Sequence, residues 1–382
     1  MEEDRINTRL LSLLRAALWQ TPADASCFSP EPVRWDELRE LSLRQTVGIL
    51  VGQGALSLPD PLCPPKEWMR ASLAYSVRNM QAHRLLNDCL AEAVYCLKEA
   101  GITPVLLKGQ AYAQQYPQPE WRQCGDIDLY IGETDYPRAV AVARACGWQS
   151  RPGENNRSGA KHYGCYLHGV RIELHRVAAI LDRPAANRRF QRWSHDQLSR
   201  TTRTMRTGET DVPLPPPLFD VLFVFLHLYH HFLNGGVGLR QLCDWVLLLH
   251  AHSSIIDYRE LETLLRRFGL LRGWKMFGCI AVDRLGLPAG EFPFYSSRYG
   301  SQSGKILAVI LREGNFGRYA PGQTPRPDGY WQGKLHSYIR YRKRLFTLFP
   351  LAPKDVARCY GQFLYKGFRQ IFIDKLCGKR QE

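Results

Sequence analysis

One short segment constrains the fold of this chain more than any other. Residues 125–131 read GDIDLYI, so polar and apolar side chains alternate along the segment. This alternation is typical of a β-strand with one face against a core. Side chains two positions apart on a strand point to the same face. The pattern therefore predicts that the carboxylates of Asp126 and Asp128 lie side by side, while Ile127 and Leu129 enter the core.

A second segment with the same alternation supplies a third carboxylate. Residues 171–175 read RIELH, in which Glu173 would lie on the polar face of a strand. Neighbouring carboxylates repel one another unless a cation neutralises them, and Mg²⁺ prefers hard oxygen ligands of this kind. Three carboxylates on adjacent strands could hold two metal ions roughly 3.5–4 Å apart. The alternative is that Asp126 and Asp128 form the polar outer face of an edge strand.

Strands and helices alternate around these two segments. An apolar run at 102–107 ends in Lys108 and Gly109, which predicts a buried strand followed by a turn. Short helices are predicted over 110–116 and 136–146, and two strands over 162–168 and 170–177, joined at Gly169 as in a hairpin. Because a strand, a glycine turn and a helix can present backbone N–H groups to phosphates, this order favours a phosphate-binding site.

The rest of the chain is predicted to be helical. Apolar residues recur at spacings of three and four over 35–56 and 68–100. The proline run at 213–217 favours extended geometry and is the best candidate for a linker. The expected fold class is α+β, a small mixed-sheet core of strand, helix, strand, helix and hairpin between helical regions. We expect an N-terminal helical region over residues 1–100, the core over 101–212, and a C-terminal helical region with a basic tail over 218–382.

The charge of the chain is strongly basic and unevenly distributed. Lys and Arg number 51 against 36 Asp and Glu, a formal net charge of +15. Residues 331–382 alone contain 12 Lys and Arg against 3 Asp and Glu, and residues 171–206 contain nine arginines. Such an excess suits a polyanionic partner: a nucleotide, a nucleic acid or an acidic membrane surface. The alternative is a solvated face that keeps the protein soluble.

Several protein classes are disfavoured by what the sequence lacks. The 11 cysteines form no CxxC pair, which argues against a zinc ribbon or a disulfide framework and favours a reducing compartment. The most apolar stretch, 218–233, is interrupted by Asp220 and three histidines and falls short of the roughly 18 apolar residues of a spanning helix. We therefore expect a cytoplasmic protein without a transmembrane segment. The sequence contains neither the GxSxG motif of serine hydrolases nor the Walker A motif of P-loop NTPases, so both classes are disfavoured.

Two clusters on predicted helices have competing interpretations. His227, His230 and His231 are spaced so that they could bind zinc, but packing or lining an active-site cleft is the favoured interpretation. Arg240 and Asp244 lie four residues apart, so the default expectation is an intrahelical ion pair.

Together, the motifs resemble a known family. Leu107-Lys108-Gly109, then Arg122, then residues 125–129, and finally Glu173-Leu174-His175 resemble the signature of poorly characterised bacterial nucleotidyltransferases. These belong to the superfamily typified by DNA polymerase β. The resemblance covers about residues 70–250 and includes the helix that carries Arg240. Two features depart from the superfamily: Lys108-Gly109 replaces the usual Gly-Ser or Gly-Gly, and the interval from Gly109 to Asp126 is longer.

The resemblance implies a role for each motif residue. Mg²⁺, or Mn²⁺ in its place, would be held by three catalytic carboxylates: Asp126, Asp128 and Glu173. Glu173 would also serve as the base on the acceptor hydroxyl. The triphosphate of a nucleotide such as ATP would be contacted by Lys108, Gly109, Arg122, His175 and Arg240. The competing interpretation of Arg122 is a surface ion pair with Glu120, and that of His175 is a structural hydrogen bond.

The implied reaction moves a nucleoside monophosphate from a nucleoside triphosphate to an acceptor hydroxyl and releases pyrophosphate. The acceptor could be RNA, such as the 3′ end of tRNA bound through the basic C-terminal region, a small molecule or a protein. The alternative is a catalytically inactive module that binds nucleotide or nucleic acid. Lys108 and the long interval would fit an inactive module, whereas three mutually repelling carboxylates on one face argue against it.

Overall fold

Most of the chain is helical, and the helices surround one small sheet. The computed structural model describes residues 2–29, 31–151, 161–322 and 324–376; residues 377–382 of the predicted basic tail lie outside this set. The fold is α+β with a mixed four-stranded sheet, as predicted. The helices are α1 (Glu2–Trp19), α2 (Trp35–Arg44), α3 (Gly48–Ala55), α4 (Lys66–Glu99), α5 (Gln110–Ala113), α6 (Tyr136–Ala145), α7 (Pro184–Ser199), α8 (Pro217–Asn234), α9 (Leu239–His252), α10 (Tyr258–Phe268), α11 (Leu271–Cys279), α12 (Gly300–Glu313), α13 (Tyr330–Leu348) and α14 (Pro353–Leu376). The strands are β1 (Val105–Leu106), β2 (Asp126–Tyr130), β3 (His162–Leu167), β4 (Val170–His175), β5 (Thr204–Thr207) and β6 (Thr210–Pro213).

The register of the sheet brings the predicted carboxylates together. The strand order is β1-β2-β4-β3, with β2 and β4 parallel and the two outer pairings antiparallel. In the parallel pair, Asp128 lies opposite Glu173 and Asp126 lies opposite Arg171. Residues paired across a sheet share a face, so all three carboxylates are on the same side.

The other face of the sheet packs on the core because its side chains are apolar. Ile127, Leu129, Ile172 and Leu174 are all buried, as their alternation predicts. Helix α4 contacts β2 and β4. On the polar side, Tyr130 of β2 belongs to a separate cluster with Val105, Leu107, Phe219 and Phe223, and the last two belong to α8. Helix α8 therefore packs beside the carboxylate face.

Several predicted elements differ in extent. The stretch 35–56 is two helices, because the chain turns between α2 and α3, where Thr46 has φ +55°. The helix predicted over 110–116 has only four helical residues, and the first strand only two. The hairpin of β5 and β6 was not predicted, because four-residue strands are too short to show a period. The proline run that was predicted as a linker is only a short connection, because Pro213 is the last residue of β6 and Pro217 is the first residue of α8.

One hydrophobic cluster extends through the three predicted regions. It includes buried residues of α1, α4, the sheet and α8 to α12. The domain boundaries at 1–100, 101–212 and 218–382 stay predictions. Among the residues that the structure covers, no helix is long and apolar enough to cross a membrane, and ten cysteines are free thiols.

Candidate active site

Asp128 is at the centre of the predicted site and is almost completely buried, with 1% of its surface exposed. One carboxylate oxygen, Oδ1, accepts a hydrogen bond from His175 Nε2 at 2.8 Å and lies 3.0 Å from Lys108 Nζ. The other, Oδ2, is buried without a hydrogen-bond partner among the described residues. A buried, unpartnered carboxylate oxygen is costly, so Oδ2 marks a position that a ligand could satisfy.

His175 connects Glu173 to Asp128. Its Nε2 atom lies 3.3 Å from Glu173 Oε2 as well as 2.8 Å from Asp128 Oδ1. Glu173 Oε1 also accepts a hydrogen bond from Arg171 at 3.0 Å. His175 is buried, so its imidazole fixes the distance between the two carboxylates.

His162 on β3 lies beside Glu173 and was not predicted as a site residue. Its Nδ1 atom is 3.5 Å from Glu173 Oε2. His162, Glu173 and His175 form a group whose ligand atoms all lie within 4.8 Å of one another, the only group of three or more possible metal ligands found in the described part of the chain. The predicted hairpin contained the signal: with a turn at Gly169, His162 pairs with His175.

The charges of the site change the pKa of each carboxyl group. Burial raises the pKa of Asp128, but Lys108 and His175 outweigh burial and hold this pKa well below its ordinary value. Burial also opposes ionisation of Glu173, yet the hydrogen bond from His175 prevails and lowers its pKa to about 2. By contrast, burial and the charge of Asp128 raise the pKa of Asp126. Asp126 is therefore the least acidic of the three carboxyls, and a bound cation would favour its ionised form.

Two lysines lie near the carboxylates, and their pKa values are shifted in opposite directions. Burial lowers the pKa of Lys108, but Asp128 and Asp126 prevail and raise it. Burial and the charge of Lys108 lower the pKa of Lys161 to about 8. Lys108 is consequently a permanent cation on the carboxylate pair.

Gly109 is required by the backbone at the turn after Lys108. Its φ of +68° and ψ of −113° are unfavourable for residues with a side chain. A Cβ atom would also lie 3.1 Å from the backbone oxygen of Asp126. The turn therefore approaches β2 closely and holds Lys108 against the carboxylates.

A cavity of about 60 Å³ lies in front of this turn. Six of the eight predicted site residues line it: Lys108, Gly109, Arg122, Asp126, Asp128 and Arg240. The remaining two, Glu173 and His175, reach the same carboxylate cluster from β4. The cavity is also lined by Tyr112, Val224, His227, Gln241, Asp244 and Phe316, which the sequence analysis did not assign to a nucleotide.

Arg122 contacts Asp244 rather than Glu120. Its Nε atom donates a hydrogen bond of 2.8 Å to Asp244 Oδ1, and its Nη2 atom donates one of 2.8 Å to Asp244 Oδ2. Both residues are buried. The intrahelical ion pair expected for Arg240 and Asp244 was therefore wrong. Arg240 instead donates to the backbone oxygen of Gln123. The cause is tertiary, because the fold packs the loop before β2 against α9.

The histidine cluster on α8 contributes one wall of the cleft. His227 Nε2 lies 3.4 Å from Lys108 Nζ and 3.2 Å from His231 Nε2. Burial lowers the pKa of His227 well below its ordinary value, and the charge of Lys108 lowers it further. His227 is thus a neutral side chain that lines the cavity, in agreement with the favoured interpretation of this cluster.

Comparison with known proteins places these features in a family. The sequence model of a family described as "uncharacterised nucleotidyltransferase" matches residues 31–286, which include all eight predicted site residues. No curated protein matches the chain, and no solved structure matches it. Because the match covers well over half of the sequence, the chain belongs to this uncharacterised family of nucleotidyltransferases.

Proposed function

We propose that this protein transfers a nucleoside monophosphate from a nucleoside triphosphate to an acceptor hydroxyl and releases pyrophosphate. Membership of the family supports the class of reaction. The observation that carries the proposal is the arrangement of Asp126, Asp128 and Glu173 on one face of adjacent parallel strands, in register. An inactive binding module would gain nothing from three repelling carboxylates that need Lys108 and His175 to neutralise them.

The same residues fit a divalent cation. Asp128 Oδ2 is buried and unpartnered among the described residues, and carboxylate oxygens are the ligands that Mg²⁺ prefers. Asp126, Asp128 and Glu173 would hold Mg²⁺, or Mn²⁺, which also prefers oxygen ligands. When bound, such cations lower the pKa of an attacking hydroxyl and neutralise charge on the leaving phosphates, as in sites with two metals.

The residues of the chain itself bind and orient the triphosphate. Lys108 supplies a cation at the mouth of the carboxylate cluster, and Gly109 lets the backbone approach closely. Arg240 adds a second positive charge to the cavity wall, and Arg122 lines the same wall. His175 acts as a positioning residue, because it holds Asp128 and Glu173 at a fixed separation.

The transfer step exchanges one phosphorus–oxygen bond for another. The acceptor oxygen forms a bond to the α-phosphorus, and the bond from the α-phosphorus to the bridging oxygen breaks. Pyrophosphate leaves with the electron pair of the broken bond. The hydroxyl proton passes to the carboxylate of Glu173 and from there to water.

The test is transfer of label from nucleoside triphosphates radiolabelled at the α-phosphate. Asp128→Asn should reduce transfer about a hundredfold or more, because the carboxylate charge is lost. Asp211→Asn is the matched control, since the side chain of Asp211 is exposed and pairs with Arg206 on the hairpin of β5 and β6. Wild-type rates in Asp128→Asn would contradict the proposal.

A second candidate activity is RNA binding through the C-terminal region. On α13, Trp331 and Phe346 are 66% and 75% exposed, and Arg340, Arg342 and Lys343 are exposed as well. Cations bind phosphates and aromatic rings stack on bases, which is how single strands are bound without sequence preference. RNA that co-purifies and is released by salt would support this candidate. Purification free of nucleic acid at low salt would contradict it.

A further inference from the structure

We propose that the cavity beside the catalytic pocket binds the acceptor, and that the acceptor is a small molecule carrying both a hydroxyl and an anionic group. This inference rests on the proposed nucleotidyl transfer. It assigns a role to a cavity that none of the predicted site residues lines. It also selects one of the acceptor classes that the sequence leaves open.

The position of the cavity suits an acceptor. It lies between α7, α8, α10 and α14 and shares His227 with the smaller catalytic cavity. Lys108 Nζ lies 3.4 Å from His227 Nε2 and 3.0 Å from Asp128 Oδ1. Lys108 therefore connects the shared residue His227 to the central carboxylate. A hydroxyl at this end of the cavity would reach a nucleotide held by Lys108.

The size of the cavity indicates a small molecule. Its volume is about 390 Å³, within the range of about 300–1,000 Å³ that is common for small-molecule sites. Apolar side chains of Leu226, Leu233, Phe268 and Leu270 line part of it and would pack against the carbon skeleton of the acceptor.

The charge of the lining indicates an anionic group. Two acidic residues line the cavity, and each has a cation nearby in the same lining: Asp355 pairs with Arg358 at 3.0 Å, and Asp182 lies 3.9 Å from Lys366. Of the other two cations, Lys161 lies within the field of Asp128 and Glu173, whereas Arg183 forms no ion pair with any residue described here.

Arg183 carries a buried hydrogen-bond donor that no described residue satisfies. Its Nη2 atom is buried and makes no hydrogen bond within the described parts of the chain. The guanidinium lies directly over Gly269, where a Cβ atom would be only 2.0 Å from Nη2. Gly269 directly follows the last residue of α10 and has φ +76°. A glycine there both adopts the left-handed conformation that terminates the helix and leaves space for Arg183. A carboxylate or phosphate in the cavity would satisfy this donor.

Two variants test the pocket without touching the catalytic machinery. Ile180 lines the cavity and is 49% exposed, so Ile180→Trp should block the cavity without disturbing the core. Ile255→Trp is its control, because Ile255 is 63% exposed and is not among the residues that line either cavity. Arg183→Gln removes the charge just before α7, and Arg200→Gln removes an exposed charge just after the opposite end of the same helix.

The experiment measures label transfer from α-labelled nucleoside triphosphates to two fractions of a cell extract, one of low molecular mass and one of macromolecules. Wild-type protein should label a product in the low-mass fraction. Ile180→Trp should lower this transfer about tenfold or more, with nucleotide binding by equilibrium dialysis unchanged. Arg183→Gln should raise the half-saturating amount of the low-mass fraction about tenfold, with the KM for nucleotide unchanged. Both control variants should behave as wild type.

Label that reaches only RNA or protein would overturn the inference, as would wild-type transfer by Ile180→Trp. Failure of the proposed function has a different signature. In that case the wild-type protein binds no nucleotide, binds nucleotide but labels neither fraction, or Asp128→Asn transfers label as well as wild type.

Discussion

Removing one partner of the buried ion pair of Arg122 and Asp244 should be among the most destabilising substitutions of a polar residue in this protein. The two side chains form two hydrogen bonds of 2.8 Å, and Asp244 Oδ1 also accepts one from Tyr116 at 2.7 Å. Both charged residues are at most 5% exposed. Asp244→Ala would leave a buried guanidinium without its counter-charge and a buried tyrosine hydroxyl without its acceptor.

The magnitude follows from these contacts. Removing one partner of a buried pair typically costs about 3–5 kcal/mol, because the remaining charge stays desolvated. Replacing both residues with apolar ones of similar size, as in Arg122→Met with Asp244→Leu, removes the stranded charge. We therefore expect the double variant to be more stable than Asp244→Ala by about 2 kcal/mol or more.

Urea unfolding followed by tryptophan fluorescence measures these free energies. Glu209→Ala is the matched control, because Glu209 also pairs with an arginine, Arg206, but its side chain is 98% exposed. The control should change the free energy of unfolding by less than about 0.5 kcal/mol. A cost below about 1 kcal/mol for Asp244→Ala, or a double variant less stable than the single one, would refute the reasoning.

Three further predictions concern the carboxylate site. Gly109→Ala should lower the free energy of unfolding in urea by about 1–3 kcal/mol. Gly101→Ala should cost less, because Gly101 has a similar φ of +70° but no atom lies within 4 Å of the position of an added Cβ atom. Because the pKa of Glu173 is lowered to about 2, its ionised form stabilises the metal-free fold by up to about 3 kcal/mol above pH 4.5. The difference in unfolding free energy between wild type and Glu173→Gln should therefore shrink as the pH falls from about 4.5 to about 2; a constant difference would contradict this. Lys108→Met removes the cation on Asp128, so its melting temperature should fall in EDTA and rise more than that of wild type when MgCl₂ is added.

Local patterns predicted the carboxylate face correctly. Alternation along a strand depends only on neighbouring residues, so the shared face of Asp126 and Asp128 and the burial of Ile127 could be read directly. His162 could also have been found, because the hairpin turn at Gly169 determines which residue lies opposite His175.

Contacts between distant segments could not be predicted in this way. The spacing of Arg240 and Asp244 favours an ion pair on one helix, but Arg122 reaches Asp244 across 122 residues of sequence. No local pattern reports this contact, because it depends on how the loop before β2 packs against α9. The turn at Thr46 that separates α2 from α3 was missed for a related reason, since apolar spacing continues through it.

The cavity in front of Lys108 and Asp128 is built from both sides of the proline run. Lys108 and Asp128 come from the part of the chain before it, whereas His227, Arg240 and Asp244 follow it. If the backbone were cut at this run and the two polypeptides produced separately, neither would contain a whole pocket. Activity would return only when the fragments reassociate, and burial of the apolar core that they share would drive the reassembly. The chain is thus a candidate for a split enzyme, in which transfer of label reports that two tethered partners have met.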